Sequence, residues 1–320
     1  MDIGFSKTTK NTAKEALRAA SYDPRKLALI YSGIAAGITF LFSVISYLLS
    51  REIDGTGGIA GMGLRSILST VQSVLPIVTA VLIPFWDVGF LRACMGFARN
   101  EEVRPNTLTA GFRRFGPVFR LFLIRAILVV GIALIAMNLA SVIFSLTPWS
   151  APLMDIAEAI MEAGTFTEEI IAQMIPIMTP LYIIFFAVFA ALAIPMFYRL
   201  RMSEFILMDK PMGALPALLF SHRFMRGNCW KLVRLDLSFW WFYALSLCSI
   251  AIGYLDVILP EFGVTLPVNA DVAFFLCYSV YILCQIGLSW WAGSYVQTTY
   301  ATAFDSFIPQ APDAPVEQPQ

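Results

Sequence analysis

Six stretches of this chain are each about twenty residues or longer and nearly free of charge, the length an α-helix needs to cross the hydrocarbon of a bilayer. They cover residues 27–49, 67–90, 118–146, 181–200, 237–259 and 272–291. Inside a bilayer the backbone has no water to bond, so such runs must complete their own hydrogen bonds as helices. The expected fold is therefore all-α: a polytopic membrane helical bundle of six transmembrane helices within residues 1–307. A mean hydropathy of +0.72, with 58% hydrophobic and 14% charged residues, exceeds what a soluble core of 320 residues can hide. The Pro- and Gln-rich stretch 308–320 is too polar to join a core and is expected to be disordered.

The charges are segregated between the runs. Of the 22 Lys and Arg residues, six precede the first run, seven lie from Arg92 to Arg125 and seven from Arg199 to Arg234. The intervening loops hold two, Arg51 and Arg65. Basic residues are retained on the cytosolic side of a membrane, so this imbalance places both termini and all three basic segments in the cytosol. Trp240, Trp241, Trp290 and Trp291 then share one membrane face, as an interfacial aromatic belt does. A net charge of zero offers no general attraction to nucleic acid.

Each basic segment reads as an interfacial helix. Lys10, Lys14 and Arg18 recur at steps of four in a helix that stops near Tyr22-Asp23-Pro24, because a residue before proline leaves the α region. Leu108, Phe112, Phe115, Phe119 and Phe122 form an aromatic stripe that is expected to bend at Gly116-Pro117. In the third segment, Ser221–Lys231 is expected to lie as one interfacial helix carrying the chain's single histidine, His222. Breaks at Asp23-Pro24, Gly116-Pro117 and Gly227-Asn228 each precede an out-and-back pair of runs. The chain thus resembles three basic-segment-plus-hairpin units, which would bury a common bundle interior. The opposite surface is acidic: Thr147–Pro180 has no Lys or Arg, and Asp155, Glu158 and Glu162 share a face before a capping box at Thr165–Glu168.

Motifs that carry chemistry are scarce. The glycine-rich loop around Gly55-Thr56-Gly57-Gly58 lacks the Gly-Lys-Ser/Thr ending of a phosphate cradle and reads as a turn. Cys94, Cys229, Cys248, Cys277 and Cys284 form no CxxC pair, so neither a zinc site nor a disulfide framework is expected. No HExxH or GxSxG motif occurs, and one histidine leaves little room for histidine-based catalysis. No cofactor is expected. Two intramembrane charges stand out: Asp87 in the second run and Arg125 in the third, which are expected to form an ion pair locking those spans together. Asn138 and Gln285 are expected to hydrogen bond between helices. Pro76 and Pro84 are expected to break the second span. Arg113, Arg114, Arg223, Arg226 and Lys231 are candidates to face anionic inner-leaflet lipids.

Two groups of motifs resemble a bacterial family of integral membrane proteins, the domain of unknown function 975 family. The first is Pro84-Phe85-Trp86-Asp87-Val88-Gly89-Phe90, then Phe97-Ala98-Arg99-Asn100-Glu101-Glu102 and Gly111-Phe112-Arg113-Arg114-Phe115. The second comprises Phe205-Ile206-Leu207-Met208-Asp209-Lys210-Pro211, Ser221-His222-Arg223-Phe224-Met225-Arg226-Gly227, Leu235-Asp236-Leu237 and Tyr295-Val296-Gln297-Thr298-Thr299-Tyr300. A more distant similarity to membrane domains found beside glycerophosphodiester phosphodiesterases hints at lipid association. The resemblance implies a six-helix protein of the bacterial cytoplasmic membrane and brings no catalytic residues with it. The expected function is that of a non-enzymatic scaffold or assembly factor of the cell envelope, working with lipid, a membrane protein partner or a second copy of itself. The alternative is a small-molecule, peptide or lipid transporter built on the broken second span.

Overall fold

The computed structural model describes residues 4–55, 62–152, 156, 168–262 and 268–308. Asp155, Glu158, Glu162 and Thr165 of the acidic loop, the glycine-rich turn at 56–61 and the tail beyond 308 lie outside the described residues. Among those described, every regular element is helical. We number them α1 (Gly4–Ala19), α2 (Pro24–Gly55), α3 (Met62–Ala98), α4 (Phe115–Ser145), α5 (Glu168–Leu200), α6 (Ser203–Asp209), α7 (Ala214–Phe224), α8 (Cys229–Leu237), α9 (Trp240–Gly253), α10 (Leu255–Glu261), α11 (Ala270–Leu288) and α12 (Ser294–Phe307). A 3-10 turn at Pro105–Thr109 and a helical turn at Ala110–Arg113 precede α4.

Five helices are by themselves long and apolar enough to cross a membrane. The fifth expected span is different: α8 and α9 meet at 62° across Ser238 and Phe239, and only as a bent pair do they make a sixth crossing. The last span also outruns its expected end at Trp291, continuing through a π turn at Ser289–Gly293 into α12. The second span is not broken, since α3 runs through both Pro76 and Pro84. Each proline removes one donor, and the helix stays continuous because the flanking turns retain theirs. Nor does the chain bend at Gly116-Pro117. The break falls at Arg114, with φ −110° and ψ 39°, and Pro117 sits in the first turn of α4, where a missing N–H costs little. Ser221–Lys231 is two helices, because Gly227 adopts φ 94°, a left-handed conformation that ends one and redirects the chain into the next.

Three antiparallel hairpins, α2/α3, α4/α5 and α9/α11, make the most extensive helix contacts. They do not bury a common interior. At most 28% of the residues in any spanning window are buried, and in α5 none are. The large buried side chains gather instead at one end of the hairpins, here called the base. Phe85 and Met95 of α3, Met202, Ile206 and Leu207, Met225, Phe239 and Phe304 pack there into one cluster. Hydrocarbon solvates Leu as well as protein does, so apolar packing is driven only where water would otherwise reach. That is the base. Each large apolar side chain fully buried there contributes about 1.5–3 kcal/mol.

Two glycines let the base close. A Cβ on Gly89 would collide with the Leu108 carbonyl, and one on Gly111 with the Phe85 carbonyl, so α3 and the Pro105–Arg113 segment touch backbone to backbone. Gly37 on α2 has open space around it. Gly89→Ala and Gly111→Ala are therefore expected each to destabilise the protein by about 1–3 kcal/mol, as overpacking does. Gly37→Ala should be neutral or mildly stabilising. Thermal unfolding of the three variants in one detergent checks the order.

Candidate functional site

The base is held by guanidinium groups that converge on a single corner, the turn from α5 into α6 and its exit, Leu200–Lys210. Arg125 reaches it from α4. Its Nη1 pairs with Glu204, and its Nη2 donates to the Leu200 carbonyl at 2.6 Å and to Ser203 Oγ at 2.9 Å. Arg114 donates to the carbonyls of Leu207 and, at 3.1 Å, Lys210. These carbonyls end helices, at the negative end of a helix dipole, and the guanidinium groups add charged donors to acceptors that local bonds from Ser203 Oγ to Leu200 and from Met212 N–H to Lys210 satisfy only in part.

Arg99 supplies the third bond. Helix α3 closes with Asn100 at φ 55° and Glu101 N donating to the Gly96 carbonyl at 2.8 Å, which aims the Arg99 side chain out of the helix. Its Nη1 pairs with Asp209 of the corner, while Nη2 and Nε reach Asp305 of α12 at 2.6 and 3.2 Å. Hydrogen bonding to Asp305, above all, holds the Arg99 guanidinium above its ordinary pKa. One planar fork thus ties α3, α6 and α12.

A fourth cluster surrounds Asp236 on α8. Arg201 Nη1 lies 2.5 Å from its Oδ2, Tyr198 Oη donates to the same oxygen at 2.7 Å, and Tyr300 Oη donates to Oδ1. Tyr243 and Tyr300 share a hydroxyl hydrogen bond at 2.8 Å, and the Arg201 guanidinium stands 4.4 Å above the Tyr300 ring. Below it, Lys10 of α1 donates to the Ser238 carbonyl at 2.9 Å, over the Phe239 ring at 4.1 Å. Burial and the neighbouring Lys14 lower the Lys10 pKa.

The expected Asp87–Arg125 pair does not form. Asp87 accepts from Tyr31 Oη at 2.5 Å, tying α3 to α2 within the first hairpin, and Arg125 turns to Glu204. The carboxylate that Arg125 uses lies 79 residues further on, in the third basic segment, so no pattern local to the spans exposes it. Asn138 also differs from expectation, donating to the Leu134 carbonyl of its own helix at 2.7 Å. Gln285 does bond between helices, donating to Ser246 of α9. Of the candidate lipid-facing cations, Arg113, Arg223, Arg226 and Lys231 are exposed. Arg114 is a correction, since its guanidinium is spent on the corner carbonyls.

The acids of the base are occupied as acceptors, and among the described residues no three His, Cys, Asp or Glu side chains come together as a metal ion would need. What the arrangement can do is hold helices at fixed angles. Every residue of the corner's clamp except Asp305, Arg125, Leu200, Ser203 and Glu204 falls within motifs that run in two separate groups along the sequence: Arg99 and Arg114 in the first, Leu207, Asp209 and Lys210 in the second. The family described as "Protein of unknown function (DUF975)" matches the chain over residues 5–305. The chain belongs to that family. No curated protein and no solved structure matches it significantly. In this DUF975 chain the two motif groups are therefore two halves of one joint.

Beside the joint, α3 on one side and α4 with α5 on the other enclose a groove of about 1070 Å³, walled by Ile77, Val81, Phe119, Leu123, Phe189 and Phe197 among others. Among the described residues Arg125 is the one charged residue in its wall. A second cleft of about 440 Å³, between the first and third hairpins, has Tyr31, Thr39, Ser246 and Gln285 in its lining.

A double-mutant cycle separates the pairings. Arg125→Ala with Glu204→Ala should show a coupling energy of about 1–3 kcal/mol, whereas Arg125→Ala with Asp87→Ala should be additive within about 0.5 kcal/mol. Arg99→Lys, which keeps the charge and loses the fork, should still cost about 1.5–3 kcal/mol, the range of hydrogen bonds to charged groups. Equilibrium unfolding in mild detergent measures both.

Proposed function

We propose that this chain is a non-enzymatic scaffold of the bacterial cytoplasmic membrane, with both termini and the base on the cytosolic side. In this reading the base holds the second hairpin away from the first, and the space between them receives the acyl chains of bilayer lipid. The observation that carries it is the groove itself. Its walls are apolar along α3, α4 and α5, and the single charge among their described residues, Arg125, is already paired with Glu204 and bonded to the Leu200 carbonyl. A conduit for polar solutes needs polar walls. A berth for hydrocarbon does not.

Ala193→Trp and Ala80→Trp, both in the groove wall, test the reading. Each variant is expected to retain its unfolding temperature while carrying less co-purifying lipid, as measured by native mass spectrometry. Unchanged lipid content in both would overturn the berth. For sidedness, Arg226→Cys in a background lacking the five native cysteines should react with an impermeant maleimide only after the membrane is opened.

One observation favours transport as a second reading. The cleft between the first and third hairpins has polar side chains, and Asp87 stands behind Tyr31 at its edge. On that reading Asp87→Asn would abolish a solute flux in proteoliposomes that Ala193→Trp leaves intact.

A further inference from the structure

Arg92, Arg99, Arg104, Arg114, Arg125 and Arg201 are consumed by acids or carbonyls, and of the other cations of the base one group converges on a single pocket. Lys14 and Arg18 lie one turn apart on α1, and Arg25 lies in the first turn of α2. All three are exposed, and none forms an ion pair among the described residues. The fold brings them to one pocket of about 590 Å³, whose other wall is Trp241, Trp290 and Trp291.

The pocket is built by tertiary contacts. Ser294 Oγ donates to the Pro24 carbonyl at 2.6 Å, joining the start of α12 to the start of α2. Trp241 and Trp291 meet edge to face with centroids 5.2 Å apart. The π turn at Ser289–Gly293 leaves Trp290 and Trp291 both exposed, although the helix on either side of them continues. Arg25 stands 5.9 Å from the Trp290 ring and Lys14 5.6 Å from Tyr295. One acid, Asp23, shares the pocket, and its Oδ1 accepts the Arg25 backbone N–H at 2.9 Å as part of the start of α2. The balance is three cations to one occupied carboxylate.

We infer that this pocket binds the phosphate-bearing headgroup of an anionic phospholipid, with its acyl chains along the exposed apolar faces of α9 and α11. Charge complementarity selects an anionic headgroup over a zwitterionic one. The position selects a lipid: the cations are at the base, while Leu247 and Leu283 on the adjoining helices are each 67% exposed. Tryptophans mark the boundary between the two, since an indole is amphipathic and settles at the level of the headgroups. The site is distinct from the apolar groove on the second hairpin. It rests on the reading of the base as lying at the membrane surface.

The test uses the full chain purified in mild detergent and titrated with phosphatidylglycerol or phosphatidylcholine under native mass spectrometry. Each of Lys14→Gln, Arg18→Gln and Arg25→Gln is expected to weaken phosphatidylglycerol retention about fivefold, the factor expected for one basic residue near an anionic headgroup. Phosphatidylcholine retention should not change. The charge-keeping Lys14→Arg, Arg18→Lys and Arg25→Lys should retain the lipid, which separates loss of charge from loss of fold. Arg104→Gln with Arg120→Gln, which removes exposed cations elsewhere on the base, should leave retention as it was. An equal loss in that control, or no loss in the three single variants, would overturn the inference. Displacement of the lipid by inorganic phosphate at equal concentration would also overturn it, by making the site one for free anions. Ala193→Trp should lower retention of both lipids alike and leave the preference for phosphatidylglycerol over phosphatidylcholine unchanged, so failure of the groove and failure of this pocket are read separately.

Discussion

Three guanidinium groups, from Arg99, Arg114 and Arg125, meet the corner between α5 and α6, and the arrangement of the hairpins depends on that meeting. Helix ends expose acceptors, and at the base several ends come together away from bulk water. An arginine side chain carries five donors in a rigid plane, so it can cap a carbonyl and pair with a carboxylate at once. Arg125 does both, on Leu200 and Glu204. Leaving either partner unmet in a desolvated corner would cost more than the bond contributes, which makes the joint stiff as well as stable.

A stiff base explains how hairpins with little mutual burial keep their places. Within hydrocarbon there is no hydrophobic drive to close them, and few polar bonds cross between them. The first and third are tied by Ser43 to Tyr278 at 2.6 Å and by Tyr47 to Asp271 near the far end. The second hairpin stands across the groove from α3. The contacts of the base join all three hairpins where the spanning windows bury few side chains of their own.

The long apolar runs and the blocks of basic residues were legible in the sequence because both are local properties of composition. So was the break before Pro24, which follows from proline sterics. The prolines of α3 misled because a lone proline in a long helix need not end it, and the fifth span misled because its apolar run conceals a bend between α8 and α9. Asp87 and Arg125 were recognisable as unusual charges. Their partners, Tyr31 and Glu204, were not, since the one lies in the preceding span and the other beyond the next.

Sequence by itself determined that this is an all-α chain with apolar helices long enough to cross a membrane, and where its cations lie along the chain, because helix length and hydropathy need no knowledge of neighbours. Tertiary structure decided which cations are spent and which remain free. Arg99, Arg114 and Arg201 look no different in sequence from Arg18 and Arg25, yet the first three are locked onto acids and carbonyls and the last two face an open pocket. That difference is made by contacts across tens to hundreds of residues, where the desolvation of each charge is settled by what the fold places beside it.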